Sequence, residues 1–276
     1  MSATTVPAAA VFTSSWLALR EPADRAARNP EVLQACCQAF AGQDALTICD
    51  LGAGAGASVR AFAPLLPARQ RWVLVDRDQS LLSAAAPPAD NAGVTVETMV
   101  RELADGPVCW PTDARLVTAS ALLDLVSADW IARLAAGLVA QQAAVLATLT
   151  FDGLIALDPA HPLDDAVSAA FCAHQKRDKG FGPAAGPEAA TVFEGFLRRG
   201  GFDVVAGDSP WRIGATADEF MRQTLTGIAG AAREMALGGA VDAWLEDRLR
   251  RVRWLTIGHR DIFACPSAVH PPSSDA

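Results

Sequence analysis

Short apolar runs alternate with helical patterns through the middle of the chain. "ALTICDL" (45–51) and "RWVLVD" (71–76) have the length and composition of buried strands. Each is followed by apolar residues spaced three and four apart, "GASVRAFAPLL" (56–66), which stops before Pro67, and "QSLLSAAA" (79–86). "VTVETMV" (94–100) and "ARLVTAS" (114–120) read as a third and a fourth strand. A helix is predicted from Asp129 to about Leu138, with Ser127 as its cap. "AAVLATLTF" (143–151) carries no charge, as suits a central strand covered on both faces. Strands separated by helices need crossover connections, so the pattern predicts an α/β protein with a doubly wound, mostly parallel sheet of six or seven strands.

The flanks follow different rules. From Trp16 to Phe40 the pattern is helical. Asn29, Pro30 and Glu31 supply a cap, a first-turn proline and a first-turn acid for a helix through "EVLQACCQAF" that stops near Gly42. Residues 152–190 contain Pro159, Pro162, Pro183 and Pro187 around a helical stretch, "DDAVSAAFCAHQKR" (164–177). "GFDVVAG" (201–207) is a further strand, and "RWLTIGHRDIFAC" (253–265) is a strand pair or one long strand. Thr216 and Glu219 match a capping box that opens a helical region reaching about Arg251. No linker-like stretch divides the chain. The expected organisation is an N-terminal helical segment (1–44), one domain (45–265) and a loose tail (266–276), with residues 1–12 also loose. Insertions at 152–190 and 214–251 would form helical covers over the carboxyl edge of the sheet.

Composition narrows the function classes. A chain of 276 residues, half apolar and one fifth charged, suits one elaborated soluble domain with a sizeable core. Its net charge of −8 disfavours nucleic-acid and anionic-membrane partners, because the overall field repels phosphates. Two lysines against 21 arginines read as genomic base composition rather than chemistry. Six cysteines without a CxxC pair suggest neither a metal site nor a disulfide framework, and fit a reducing compartment. The uncharged run from Leu134 to Phe151 is long enough to span a membrane, but Gly137 and the Gln141–Gln142 pair make it a helix end followed by a strand. The first nineteen residues lack Lys and Arg, so no signal-peptide n-region is expected and a cytoplasmic location is.

The chemistry concentrates in "CDLGAGAGAS" (49–58), where a strand gives way to a helix. Missing Cβ atoms let such a turn be tight and let a ligand approach the backbone, at the carboxyl edge where α/β proteins bind ligands. Gly52, Gly54 and Ala57 satisfy the dinucleotide pattern G-x-G-x-x-A. Asp50, Gly52, Gly54 and Gly56, with Ala53 between, equally satisfy a D-x-G-x-G-x-G run that suits S-adenosylmethionine. Asp50 tips the choice, since a carboxylate suits that cofactor's ammonium group and would repel a pyrophosphate.

Over roughly residues 45–151 the chain thereby resembles the class I S-adenosylmethionine-dependent methyltransferases, which have a Rossmann-like fold. The resemblance implies that Asp76, followed by Arg77, accepts both ribose hydroxyls, although a dinucleotide fold would use the same position. It implies that Glu102 and Leu103 of "VRELAD" border the adenine, with Glu where Asp is more usual. It also implies that "TASALLDLV" (118–126), including Ser120, lies under the sulfonium. The N/D-P-P-Y sequence of methyltransferases acting on base or glutamine nitrogens is absent.

Methyl transfer depends chiefly on positioning, and a base is needed only for a protonated acceptor. His174 is the preferred base or substrate contact, with Asp124 and Asp152 as acceptor-binding candidates. Lys179, Asp178 and the Gly180–Phe181–Gly182 run would form part of a lid, and a helix end rich in cations is the simpler account of them. Arg20, on an N-terminal helix folded over the site, would pair with the cofactor carboxylate. His161 is expected in a loop and His259 in a structural role. Arg248, Arg250, Arg251 and Arg253 are explained by a helix end. The expected activity is methyl transfer from S-adenosylmethionine to an oxygen or nitrogen of a small-molecule acceptor, without a metal, with a homodimer as one arrangement open to it. Two alternatives stand: an NAD(P)-dependent oxidoreductase, excluding the class with a Tyr-x-x-x-Lys pair because the chain has no tyrosine, and a non-catalytic cofactor-binding partner subunit.

Overall fold

The computed structural model describes residues 13–85, 92–214, 217–235 and 237–267. Capping sets the helix starts as the sequence suggests. The Asn29 side chain accepts the Glu31 and Val32 amides at 3.0 and 3.2 Å and opens α2 (Pro30–Ala39) behind α1 (Ser14–Ala27). Asp78 accepts from Ser80 and Leu81 to open α4 (Gln79–Ala84), and the Ser127 hydroxyl accepts from Trp130 to open α5 (Ala128–Gln141).

The strands β1 (Ala45–Leu51), β2 (Arg69–Asp76), β3 (Val94–Val100), β4 (Leu116–Ser120) and β5 (Ala144–Asp158) form the parallel part of the sheet. Beyond them lie β6 (Phe202–Asp208), β7 (Trp211–Gly214) and the 13-residue β8 (Trp254–Pro266), which runs antiparallel to β5, β6 and β7. The sheet has eight strands in the order β3-β2-β1-β4-β5-β8-β6, with β7 paired to β8 off this path. β1 steps outward through β2 to β3, and the chain then returns to the other side of β1 as β4. The strand order therefore reverses between β1 and β4, and a crevice opens at their carboxyl ends.

Two apolar layers cover the faces. Trp130, Ile131, Leu134 and Leu138 of α5 join Phe193 and Leu197 of α7 (Ala189–Arg199) on one face. On the other, Val32 and Cys36 of α2 join Val59 and Phe62 of α3 (Ala57–Phe62) and Leu82 of α4. Each fully buried Leu, Ile or Phe here contributes about 1.5–3 kcal/mol.

A third core lies beyond the crevice, and the sequence did not predict its form. β4 ends opposite Thr148, yet β5 continues to Asp158, bulging between Ala147 and Thr150 and again between Phe151 and Ile155. This extension, the first part of β8 and β7 make a ribbon that carries α6 (Asp164–Gln175), α8 (Asp218–Glu234) and α9 (Ala240–Arg251). The predicted cover at 152–190 thus begins as strand rather than helix. The single helical region predicted up to Arg251 is two helices, parted around Gly238 and Gly239. Thr216 of the predicted capping box, residues 86–91, residues 1–12 and most of the expected C-terminal tail lie outside the described residues. The final strand is one long strand rather than a pair.

Asp261 is fully buried where the ribbon leaves the main sheet. Its carboxylate accepts the Leu149 amide at 2.8 Å, the Asn29 amide at 2.9 Å and the Ser209 hydroxyl at 2.6 Å. Leu149 takes a left-handed conformation at the bulge (φ 57°). One side chain therefore ties β5, α2 and the β6–β7 connection together. Among the described residues no helix is long and apolar enough to cross a membrane.

Candidate active site

The turn after β1 is held from below. The Gly52 and Ala53 amides both donate to the Val75 carbonyl, at 2.8 and 3.0 Å, so the turn is bolted to the tip of β2. Gly52, Gly54 and Gly56 take φ of 68°, 51° and 78°, the left-handed region where side chains are strained. A Cβ on Gly54 would lie 3.4 Å from Leu17 of α1, so the turn leaves little height beneath that helix.

Asp76 completes the cradle. Its Oδ2 accepts the Gly54 amide and its Oδ1 the Asp78 amide, both at 2.9 Å. Each oxygen keeps a further lone pair for a ligand hydroxyl. The Arg101 amide donates to the Asp76 carbonyl, which places Glu102 and Leu103 beside the same opening. The Leu103 carbonyl is fixed in turn by the Trp130 indole at 2.7 Å.

Over these elements lies a cavity of about 290 Å³. Gly52, Ala53, Gly54, Asp76, Arg77, Glu102, Leu103, Ser120 and Arg20 all line it, from segments far apart in sequence. Gly56 caps α3 behind the turn and is off the wall.

α1 forms the roof, and its two faces are unlike. Trp16, Leu19, Ala23 and Ala27 pack into the third core, Trp16 lying 5.5 Å from the Phe220 ring. Its other face is polar: Glu21 receives Arg60 of α3 in a two-pronged pair at 2.8 and 2.7 Å. Asp24 accepts the Trp211 indole at 2.9 Å and Arg20 Nε at 2.8 Å. Glu21, Asp24 and Arg60 were not foreseen as cavity residues. The four-residue spacing of Arg20 and Asp24 was a visible signal of a helical pair, whereas the Glu21–Arg60 pair spans 39 residues and left none.

Other expectations fail on geometry. Asp50 does not meet the cavity; it is 1% exposed beneath the turn, with Oδ1 accepting the Thr118 hydroxyl at 2.6 Å and Oδ2 left without a partner. Burial pushes its pKa up to about 7 against the pull of the Thr118 and Ser58 hydroxyls. Asp124 is likewise buried behind the wall, and burial raises its pKa to about 6. Asp152 faces a separate groove with Glu194, Asp208 and Arg260, because the bulges in β5 turn it away from the crevice. His174 is turned toward α8, with Nε2 3.3 Å from Glu234, and burial lowers its pKa. It is not positioned to act as a base in this cavity.

His161 Nδ1 accepts the Leu163 amide at the start of α6, as a loop residue does. His259 is buried between the Phe151 and Trp211 rings, where burial lowers its pKa to about 3. Arg248 is 2% exposed and donates to the Pro159 carbonyl, so it is not the solvated helix-end residue expected; Arg250 and Arg251 pair with Glu246 and Asp247 on their own helix.

The predicted lid is a built turn. Asp178 Oδ1 accepts the Gly180 and Gly182 amides at 2.7 and 3.0 Å. Phe181 stands edge-on to Trp130, with centroids 6.0 Å apart, and the Ala185 amide bonds the Val126 carbonyl at 2.8 Å. Both Lys179 and Phe181 line the cavity.

No protein-family model matches the sequence, and no curated protein matches it. Solved structures do match the fold. A cyclopropane-fatty-acyl-phospholipid synthase-like protein from Lactobacillus casei superposes with a TM-score of 0.53 at 15% identity, over 92% of this chain and 95% of that one. The cyclopropane synthase MmaA2 from Mycobacterium tuberculosis gives 0.51 at 10% identity, over 92% and 94%. A candidate methyltransferase from Bacillus halodurans gives 0.50 at 16% identity, over 86% and 100%. The fold is the Rossmann-like one of the class I S-adenosylmethionine-dependent methyltransferases.

Proposed function

We propose that the protein is an enzyme that transfers a methyl group from S-adenosylmethionine to an oxygen or nitrogen of a small-molecule acceptor. The observation that carries this reading is the cradle formed by the positive-φ turn and Asp76, roofed by α1 at the strand-order reversal. The cradle has the features that a nucleoside needs. It offers bare backbone at Gly52 and Gly54, a doubly anchored carboxylate for a ribose, and the Glu102–Leu103 edge for a base. Once ionised, the buried Asp50 carboxylate supplies negative potential under the turn, which favours a cationic tail over a diphosphate.

When bound, S-adenosylmethionine supplies an electrophilic methyl on a positively charged sulfur. The chain's own part is positioning and exclusion of water. Asp76 and the turn fix the nucleoside, while Leu17, Leu122, Leu125 and Phe181 wall the rest of the cavity with apolar surface. Among the described residues no histidine lines the cavity, so acceptors that react without a histidine to take their proton are expected.

Calorimetry with S-adenosylhomocysteine and with NAD tests the reading. Saturable binding of the homocysteine compound and none of NAD is expected; the reverse would replace methyl transfer with hydride transfer. Asp50 adds a pH signature. Its proton is held in the free protein up to about pH 7, and a cation above it displaces that proton. Affinity for S-adenosylhomocysteine should fall several-fold from pH 8 to pH 6, with proton release visible as a buffer-dependent enthalpy. Asp50→Asn should flatten that dependence, and an unchanged slope would show that Asp50 does not sense the ligand.

A further inference from the structure

We infer that Lys179 is the anion-binding residue of this cavity, receiving a carboxylate of a bound ligand. The inference deepens the proposed methyl-transfer reading and rests on it for the identity of the nucleoside end.

The charges on the wall single out this lysine. Arg20, expected to hold a carboxylate, already has its charge offset by one: its Nε binds Asp24 at 2.8 Å, and its guanidinium lies 5.1 Å over the Trp211 ring. Arg60 is paired with Glu21, Arg77 faces Glu102 at 3.9 Å, and Arg101 is an exposed residue at the adenine edge. Lys179 is half-buried, and no described carboxylate lies within 4.0 Å of its ammonium. Its hydrogen bond is to the His174 carbonyl at 3.0 Å, which uses one of three donors.

The surroundings of Lys179 leave its charge in want of a partner. Asp124 and Glu234 act on it only through space, Arg177 repels it, and burial strips water from it. A half-buried ammonium with two spare donors on a cavity wall is stabilised by a bound anion. It is also held ready, because the Asp178 turn and the Phe181–Trp130 contact fix the loop that carries it. Lys179 shares the cavity wall with Ser120 at the end of β4 and with Leu122 and Leu125 just beyond it.

Two carboxylates could take this place: that of the cofactor's amino-acid tail, or one on the acceptor. The apolar walls at Leu122, Leu125 and Phe181 suit an aromatic acid as the acceptor probe. The experiment compares the unaltered protein with Lys179→Gln and Lys179→Arg. It measures binding of S-adenosylhomocysteine, of its decarboxylated analogue, and of benzoate in the presence of saturating S-adenosylhomocysteine.

If the tail is the partner, Lys179→Gln loses about tenfold in affinity for S-adenosylhomocysteine and none for the decarboxylated analogue, and Lys179→Arg restores most of the loss. If the acceptor is the partner, S-adenosylhomocysteine binds all three proteins alike and benzoate binding is lost only in Lys179→Gln. Unaltered binding of both S-adenosylhomocysteine and benzoate by Lys179→Gln overturns the inference. Absence of benzoate binding in every protein, with unchanged S-adenosylhomocysteine affinity, overturns it too. Unaltered protein that ignores S-adenosylhomocysteine overturns the cofactor reading instead, and the benzoate arm, run without it, then decides for Lys179.

Discussion

Asp76→Ala should weaken S-adenosylhomocysteine binding by about 100-fold, which corresponds to roughly 2.7 kcal/mol. Two losses add. In the proposed reading the carboxylate accepts from the ribose, and a hydrogen bond to a charged group contributes about 1.5–3 kcal/mol. It also fixes the Gly54 and Asp78 amides at 2.9 Å, so without it the turn loses the strut that gives it its left-handed shape. Both amides lie where water can reach them, so the thermal midpoint should move by only a few degrees. Calorimetry for binding and a melting curve for stability separate the two readouts. An Asp76→Ala protein that binds as tightly as the unaltered one would place the nucleoside elsewhere.

Asp261→Ala should have the largest effect on stability, about 3–5 kcal/mol, or a fall of roughly 10 °C in the melting midpoint. The side chain is fully buried and accepts from two amides and one hydroxyl. Removing it orphans all three donors at once, and each buried orphan costs about 1–3 kcal/mol. It also takes a negative charge from beside Arg28, a buried guanidinium whose Nε and Nη1 have no partner and whose pKa burial lowers. The bonds at Leu149 and Asn29 hold the junction where the ribbon leaves the main sheet. A midpoint within 2 °C of the original, in a protein of unchanged size, would show that the junction is held by packing rather than by this carboxylate.

Much of the fold could be read from the sequence, and the reason is burial. β1 and β3 were delimited to the residue because their apolar runs end where turn chemistry begins. α2 and α5 followed from the caps at Asn29 and Ser127. β7 was missed: "WRIG" is four residues, one of them glycine, and it is a strand only because β8 is beside it. The extension of β5 was hidden by its bulges, since Asp152 and Gly153 look like a loop when the partner strand is unknown. α7 is different. Ala190, Phe193 and Leu197 repeat at helical spacing, so its signal is present in the sequence although no element is expected there.

The cavity floor was legible and its roof less so. Gly52, Gly54, Asp76, Glu102 and Ser120 sit at strand ends, positions that strand prediction supplies directly. Glu21, Asp24 and Arg60 depend on where α1 docks, which its amphipathicity does not specify because both faces find partners. His174 was chosen for its residue type, and the packing of α6 on α8 turned it away from the cavity. Asp50 was chosen for its charge, and strand geometry put that charge beneath the turn rather than at its surface.

The central claim is that the β1 turn, Asp76 and the underside of α1 together enclose a nucleoside with a sulfur-bearing amino-acid tail. Crystals of the protein grown with S-adenosylhomocysteine measure this most directly. The account predicts density for the ribose against Asp76, the adenine beside Leu103 and the sulfur toward Ser120. An empty cradle, or the compound seated anywhere else on the molecule, would contradict it.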